Sequence, residues 1–452
     1  MKIIVNGCGK VGITLLESLV AEGHDVVAID NNPRVLSEVT NVYDVMGVCG
    51  NGTDSDVLLE ADVGNAELMV SVTGSDELNM LSCFLAKRLG AKYTIARIRN
   101  PEYNDKSLGF MREQLDISLT LNPELMAARE LFNILKMPSA AKVETFSARN
   151  FEIVEIKLKP DSALDGMKIM DMRSKFKAKF LISAVGRGED AYIPDGNFVL
   201  KSGDRVYISA TSNEIVKLLK EMGIQQKSAK KIMIFGGGKL AFYLAKKLSE
   251  GNNAVTIIEK NPTVCERLCE ALPKVTIVNA DGTDQEALLE EGLLSVDAFV
   301  SLTGMDEQNI LMSAYAHTMS VPKIITKINR QALMPLAESW GLDTVISPKM
   351  TVSDVLVRYA RALENSQGSS VETLYRLMDD KVEALEFIAK DGLDFLNVPF
   401  KDLSLKPNIL IAGIIRDRKT IIPSGEDMLL VGDKVVVFAA NQRINNLSDI
   451  KR

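Results

Sequence analysis

The chain opens Met1-Lys2-Ile3-Ile4-Val5-Asn6-Gly7-Cys8-Gly9-Lys10-Val11-Gly12, an apolar run that meets glycines spaced Gly-x-Gly-x-x-Gly and then a stretch of helical periodicity from Val11 to Glu22. A second apolar run, Val26 to Ile29, ends at Asp30. Strand, glycine turn, helix and acid-tipped strand in that order form a dinucleotide-binding unit, and each residue type has its reason. Gly7 permits the tight turn, Gly9 lets the backbone approach a pyrophosphate, and Gly12 lets the helix sit close to the strand. The free N–H groups and dipole at the helix N-terminus, from Cys8 through Lys10 and Val11, hold the anion. Asp30 then meets the ribose hydroxyls, and its charge repels a 2′-phosphate, which favours NAD(H) or an adenosine nucleotide over NADP.

The same text occurs a second time. Gly236-Gly237-Gly238-Lys239-Leu240-Ala241 repeats the loop 229 residues after Gly7, with Ala in the last position, as the fingerprint permits. Glu259 stands where Asp30 stood. Gly52-Thr53-Asp54 returns as Gly282-Thr283-Asp284, and Val72-Thr73-Gly74-Ser75-Asp76-Glu77-Leu78-Asn79 as Leu302-Thr303-Gly304-Met305-Asp306-Glu307-Gln308-Asn309. Further on, Gly203-Asp204 matches Gly432-Asp433. Thr53, Asp54, Thr73 and Gly74, with their copies Thr283, Asp284, Thr303 and Gly304, are expected at the carboxyl ends of strands, where open sheets bind ligands. Arg97 and Lys327 occupy matching positions, and each is a candidate for a phosphate contact or a solvated surface cation.

Alternating apolar runs and helical stretches predict an α/β fold of two Rossmann-like doubly wound parallel sheets, each followed by a small α+β strand-rich domain. The expected boundaries are a first nucleotide-binding domain at 1–122, a connecting helix at 123–140 and a small domain at 141–226. The second copy runs 228–347, 348–366 and 370–452. Asn122-Pro123 and Ser347-Pro348 each place a capping residue before a proline at the first helical position. Leu125, Ala128, Phe132 and Leu135 then share one face, as do Val352, Val355, Tyr359 and Leu363. Such a stripe serves equally for packing on its own domain or for a dimerisation arm. Linkers are expected at Lys136 to Thr145 and Glu364 to Ser370. Short strands follow at Phe151 to Leu158, Phe180 to Val185 and Arg205 to Ala210, then at Val382 to Ala389, Ile409 to Ile415 and Lys434 to Ala440.

Composition narrows the function. The longest apolar runs, such as Asn408 to Ile415, fall far short of a membrane span, and the opening residues enter a strand directly, so no signal peptide is expected and the cytosol is the expected compartment. A net charge of −7 with both signs interspersed offers no basic stripe for nucleic acid. The five cysteines lack paired spacing, and Cys265 and Cys269, one helical turn apart, have no neighbour to complete a zinc site, so they are expected in the core and no metal is expected. A hydride-transfer enzyme, the rival that the same fingerprint supports, needs an acid or base beside the nicotinamide. The only histidines are His24, in a turn, and His317, on a helix, and neither lies in a repeated motif. No catalytic residue is therefore assigned.

The duplicated order of glycine loop, acidic strand tip, Gly-Thr-Asp, Thr-Gly-x-Asp-Glu-x-Asn and Ala96-Arg97-Ile98-Arg99 over nearly the whole chain resembles the TrkA family of Trk-system potassium uptake proteins. Their repeats are of the RCK type, regulators of potassium conductance. The resemblance implies a regulatory subunit at the inner face of the cell membrane that assembles as a homo-oligomer, a dimer or tetrameric ring. It also implies gating of a Trk-type membrane potassium-translocating subunit according to bound NAD(H), ATP or ADP. The nucleotide sites it implies are those above. Met305 in place of Ser75 and Lys327 in place of Arg97 set the second loop apart.

Overall fold

A computed structural model describes residues 1–103, 105–136, 142–146, 151–160, 162–223, 228–342, 344–364, 371–378, 381–417 and 419–452. In each half the buried β-branched runs form a six-stranded parallel sheet. The first sheet is built from Lys2–Asn6, Asp25–Asp30, Met46–Cys49, Leu68–Ser71, Tyr93–Arg97 and Leu119–Leu121, which lie side by side in the order 3-2-1-4-5-6. Lys231–Phe235, Ala254–Glu259, Thr276–Asn279, Ala298–Ser301, Lys323–Lys327 and Val345–Ile346 repeat that order. The reversal beside the first strand is the crevice where such sheets bind ligands, and in both copies the glycine loop stands there. Met46–Cys49 buries only Val48, too little contrast for a period-two signal.

Each sheet ends in its connecting helix, Pro123–Lys136 or Pro348–Glu364. Asn122 caps the first, accepting the Leu125 N–H at 2.9 Å. The Ser347 hydroxyl, expected to do the same, is buried without a hydrogen-bond partner. Both helices do act as arms, but within the chain. Ala127, Ala128, Leu131, Ile134 and Leu135 complete the core of the second Rossmann-like unit against Leu240, Leu244 and Leu248 of its first helix. Val352, Leu356 and Ala360 in turn complete the core of the first unit against Leu15, Leu16 and Leu19. Each fully buried Leu or Ile in these seams contributes about 1.5–3 kcal/mol of transfer free energy, so neither sheet is covered without the other half.

The second exchange carries a buried polar seal. Arg361, 3 % exposed, donates to both oxygens of Glu22 at 2.7 and 2.9 Å and to both oxygens of Glu383 at 2.8 and 3.1 Å. Arg376 adds a 2.8 Å bond to Glu22. One cluster thus ties the first Rossmann-like unit, the second connecting helix and the second small domain. Counted from the helix-opening prolines, Lys136 is the counterpart of Arg361. It lies 4.4 Å from the Phe132 ring centroid, with Lys247 at 4.9 Å, a cation–π contact in place of an ion-pair network.

The small domains hold five-stranded antiparallel sheets of one topology. Lys142–Thr145, Glu152–Lys157, Leu181–Arg187, Asp190–Tyr192 and Arg205–Ala210 lie in the order 4-3-5-2-1. Val371–Leu377, Val382–Ile388, Ile409–Arg416, Lys419–Ile421 and Lys434–Ala440 repeat that order from the other edge. Lys142–Thr145 is therefore strand where linker was expected, while 137–141 and 365–370 lie outside the described residues. The two domains share one apolar core, in which Phe146, Phe151 and Tyr207 meet Val382, Ala384 and Phe438. The Gly-Asp turns also find their reason. Arg187 grips Asp204 with two bonds of 2.8 Å, and Arg416 grips Asp433 with bonds of 2.8 and 2.7 Å.

Arg361→Ala leaves Glu22 and Glu383 buried without their principal cation, and a loss of about 3–5 kcal/mol is expected in urea denaturation. Burial alone would push the Glu22 carboxyl up, but bonds to Arg361 and the charges of Arg361, Arg376 and Arg443 hold it below the usual carboxylate range. A depressed carboxyl stabilises the fold above its unfolded pKa, about 4.3, and loses that contribution as pH falls through the folded value. Denaturation midpoints followed downward from pH 6 should therefore drop more steeply in the parent chain than in Glu22→Gln.

Candidate functional site

The two loops have the same backbone. Gly7 and Gly236 sit at φ +100° and +98°, and a Cβ on either would come within about 3 Å of the backbone N of Thr73 or Thr303. A Cβ on Gly12 would lie 1.8 Å from the Gly7 carbonyl oxygen, so the first helix passes as close to the strand as glycine allows. Gly9 and Gly238 are the N-caps of the helices Lys10–Ala21 and Lys239–Ser249, and no side chain caps either one. The space beside both glycines is open. The unsatisfied N–H groups of the first turn are thus presented to an anion.

Both acidic strand tips brace their loops. Asp30 accepts the Cys8 and Asn32 N–H groups at 2.7 and 2.8 Å, and Glu259 accepts those of Gly237 and Asn261 at the same distances. The Thr-Gly-x-Asp-Glu-x-Asn motif fixes the facing wall. Asn79, fully buried, accepts from the Thr73 N–H at 2.8 Å, the Thr73 hydroxyl at 2.7 Å and the Ser71 hydroxyl at 3.0 Å, and donates to the Arg97 carbonyl at 2.9 Å. Asn309 makes the same set with Thr303, Ser301 and Lys327. Asp76 accepts the N–H groups of Arg99 and Asn100, and Asp306 those of Asn329 and Arg330. These four side chains went unassigned in the sequence, although their repetition within a polar motif was a visible signal.

Because the connecting helices cross over, the two loops face a single cavity of about 800 Å³, within the size range of small-molecule and cofactor sites. Its wall includes Gly7, Gly9, Lys10, Val11, Asp30, Thr73, Gly74 and Arg97 from the first half, and Gly238, Lys239, Leu240, Gly304 and Lys327 from the second. Other expected site residues stand behind the wall. Cys8 and Ala241 are fully buried, and Gly12, Gly236 and Gly237 are packed against backbone or side chains of their own halves. Thr53 and Thr283 lie in turns outside the lining, and so does Thr303, which is held by Asn309. Asp54 and Asp284 cap the short helices that follow them, accepting the N–H groups of Asp56 and Glu286. Glu259 does not line the cavity, whereas Asp30 does, together with Asn31 and Gly50 to Gly52. The cavity therefore reaches the acidic strand tip of the first half only.

Cations dominate the wall. Lys10, Arg97, Arg99, Lys239, Lys327 and Lys349 line it with only Asp30 and Glu124 as carboxylates. Burial, and then Arg99, push Arg97 down to about 10, and burial also lowers Lys327 against the pull of Asp306 and Glu124. The Nε atoms of Arg97 and Arg99 are buried without a hydrogen-bond partner, a cost that an anionic ligand would relieve. Neither histidine belongs to this wall. His24 is buried in the turn after the first helix, and His317 lies on the helix Asp306–Thr318 against Gly341. Cys265 is buried but Cys269 is exposed, against the expectation of a core position for both.

Asn79→Ala strips Thr73 and Arg97 of their shared partner. With several buried groups left unsatisfied at about 1–3 kcal/mol each, a stability loss above 2 kcal/mol is expected in chemical denaturation.

The description of the TrkA-N domain matches residues 3–111 and 232–348, and that of the TrkA-C domain matches 153–223 and 385–452. The Trk system potassium uptake protein TrkA homolog of Archaeoglobus fulgidus is 31% identical over the full length of both chains. The Trk system potassium uptake protein TrkA of Haemophilus influenzae is 31% identical over 100% of this chain and 98% of its own. Among solved structures, the GsuK channel bound to NAD matches with a TM-score of 0.64 at 17% identity, covering 97% of this chain and 76% of that one, a shared fold. With two N-type and two C-type domains in alternation and full-length relatives of the same name, the chain belongs to the TrkA family of Trk system potassium uptake proteins.

Proposed function

We propose that this chain is the nucleotide-binding regulatory subunit of a Trk-type potassium uptake system, gating a membrane potassium-translocating subunit according to bound NAD(H), ATP or ADP. The observation that carries the reading is the single cationic cavity onto which both glycine loops open. In it, Gly7, Gly9, Lys10 and Val11 hold the diphosphate with Cys8 supporting the loop from behind, Asp30 holds the ribose, and Thr73, Gly74 and Arg97 flank the distal end. Gly238, Lys239, Leu240, Gly304 and Lys327 meet the ligand from the other half. Glu259 braces its loop, and Thr53, Asp54, Thr283 and Asp284 shape the loop backbone. The domain divisions at 122, 140, 226, 347 and 366 are part of the proposal.

A ligand held between the halves regulates only if it binds two arrangements unequally. Here the halves are joined by exchanged helices whose first turns, at Pro123-Glu124 and Pro348-Lys349, line the same cavity. A nucleotide that draws the loops together therefore moves both helices, and with them the small domains. The proposed assembly is a homo-oligomer, a dimer or a tetrameric ring, on the inner face of the cell membrane. No helix among the described residues is long and apolar enough to cross a membrane, which agrees with peripheral attachment to the translocating subunit.

Calorimetric titration with NADH, NAD⁺, ATP and ADP tests the site. At least one nucleotide should bind, and Asp30→Ala should weaken it by roughly tenfold or more, the scale of a lost charge-assisted pair. Glu259→Ala should change the affinity less, and nicotinamide absorbance should stay constant with small alcohols and acids. Undiminished binding in Asp30→Ala would refute the assignment.

A further inference from the structure

A second cavity, of about 600 Å³, lies where the two connecting helices cross above the small domains. It is separate from the nucleotide cavity and shares no lining residue with it. Its volume suits a small molecule. Four methionines, Met126, Met334, Met350 and Met378, contribute to its wall from the two connecting helices, the second Rossmann-like unit and the second small domain. Unbranched thioether side chains adapt their shape to a guest without fixed geometry.

The charges around it are unevenly used. Four carboxylates line it and each is engaged: Glu338 with Arg205, Glu155 with the Tyr207 hydroxyl at 2.8 Å, Glu130 with the Thr351 hydroxyl at 3.3 Å, and Asp354 as well, while Arg376 is paired with Glu22. Arg129 and Arg358, one from each connecting helix, also line the cavity, and among the described residues neither has an ion-pair or hydrogen-bond partner. Ser347, at the base of the second helix and 8% exposed, lines the cavity too, and its hydroxyl is buried without a partner. A buried hydroxyl left unsatisfied costs about 1–3 kcal/mol, and a native structure keeps few of them without reason.

We infer that this cavity is a second ligand site, for a small organic anion with an apolar body: a carboxylate, sulfonate or phosphate monoester on an aromatic or aliphatic skeleton. The anion takes the forked donors of Arg129 and Arg358, which suit planar or tetrahedral oxyanions. Ser347 supplies a neutral hydrogen bond, and the methionines enclose the body. Such a ligand touches both connecting helices, so it stiffens the crossing through which the two halves are joined, independently of the nucleotide.

The test uses the full chain and the dye 1-anilinonaphthalene-8-sulfonate, an anion on an aromatic body, titrated by fluorescence. The expected result is one saturable site per chain, bound at least tenfold more weakly in Arg129→Ala/Arg358→Ala and unchanged in Asp30→Ala or with saturating NADH. N-phenyl-1-naphthylamine, the same body without the anion, should bind at least tenfold more weakly to the parent chain, a comparison that needs no variant. Circular dichroism melting of the double variant should match the parent chain, since neither arginine has a partner to lose. Equal affinity for the charged and uncharged dyes, affinity unaltered by the double substitution, or displacement by NADH would each overturn the proposal.

Discussion

Each connecting helix completes a core that its own repeat leaves open. Leu131 and Leu135 cover the sheet of the second unit, Leu356 and Ala360 that of the first, and the remaining architecture depends on this exchange. It brings the two glycine loops face to face, which neither Rossmann-like unit could do alone. It also leads each half's chain to the small domain that follows, and those two domains then close on one apolar core. Buried apolar area holds the exchange together, while the Arg361 network makes it specific. A guanidinium with four carboxylate oxygens within 3.1 Å tolerates little displacement of any of its three elements.

Much of this was legible in the sequence. The 229-residue repeat, the glycine spacing and the acidic strand tips each rest on a local backbone need, and local needs leave local marks. The parallel sheets followed from alternating patterns of period 2 and 3.6. What the helical stripe could not contain was its partner, because periodicity says which face is apolar and nothing about the surface it meets. The joint cavity was invisible for the same reason. Thr53 and Asp54 illustrate a different miss. An aspartate before a helical stretch is a capping signal, and Asp54 caps, although its place at a strand's carboxyl end suggested ligand contact. Ser347 erred the other way, in a capping position with its hydroxyl unused.

The two loops share a backbone but not an environment. Ser75 caps its helix through the Leu78 N–H, whereas Met305 at the equivalent place makes no side-chain cap. Beneath Gly52 lies Asn6, bonded to Ser71 and Ser82, while beneath Gly282 lies the Phe235 ring. The first half therefore sets polar groups around its acidic strand tip and leaves it open to the cavity. The second half is apolar at the matching point, and its cavity wall is made of the loop tip from Gly238 to Leu240 together with Leu302, Gly304, Lys327, Asn329, Pro348 and Lys349. Duplication preserved the glycine turn and let its surroundings diverge.

The exchange also bears on synthesis. Glu22 and Arg361 are 339 residues apart, and the ribosome adds roughly 5–20 residues per second. The first Rossmann-like unit thus emerges long before the helix that covers Leu15, Leu16 and Leu19, and for some tens of seconds that face is bare on the nascent chain. The second unit waits for nothing, since its covering helix precedes it. Of the two Rossmann-like units, the one made first is therefore the one completed last.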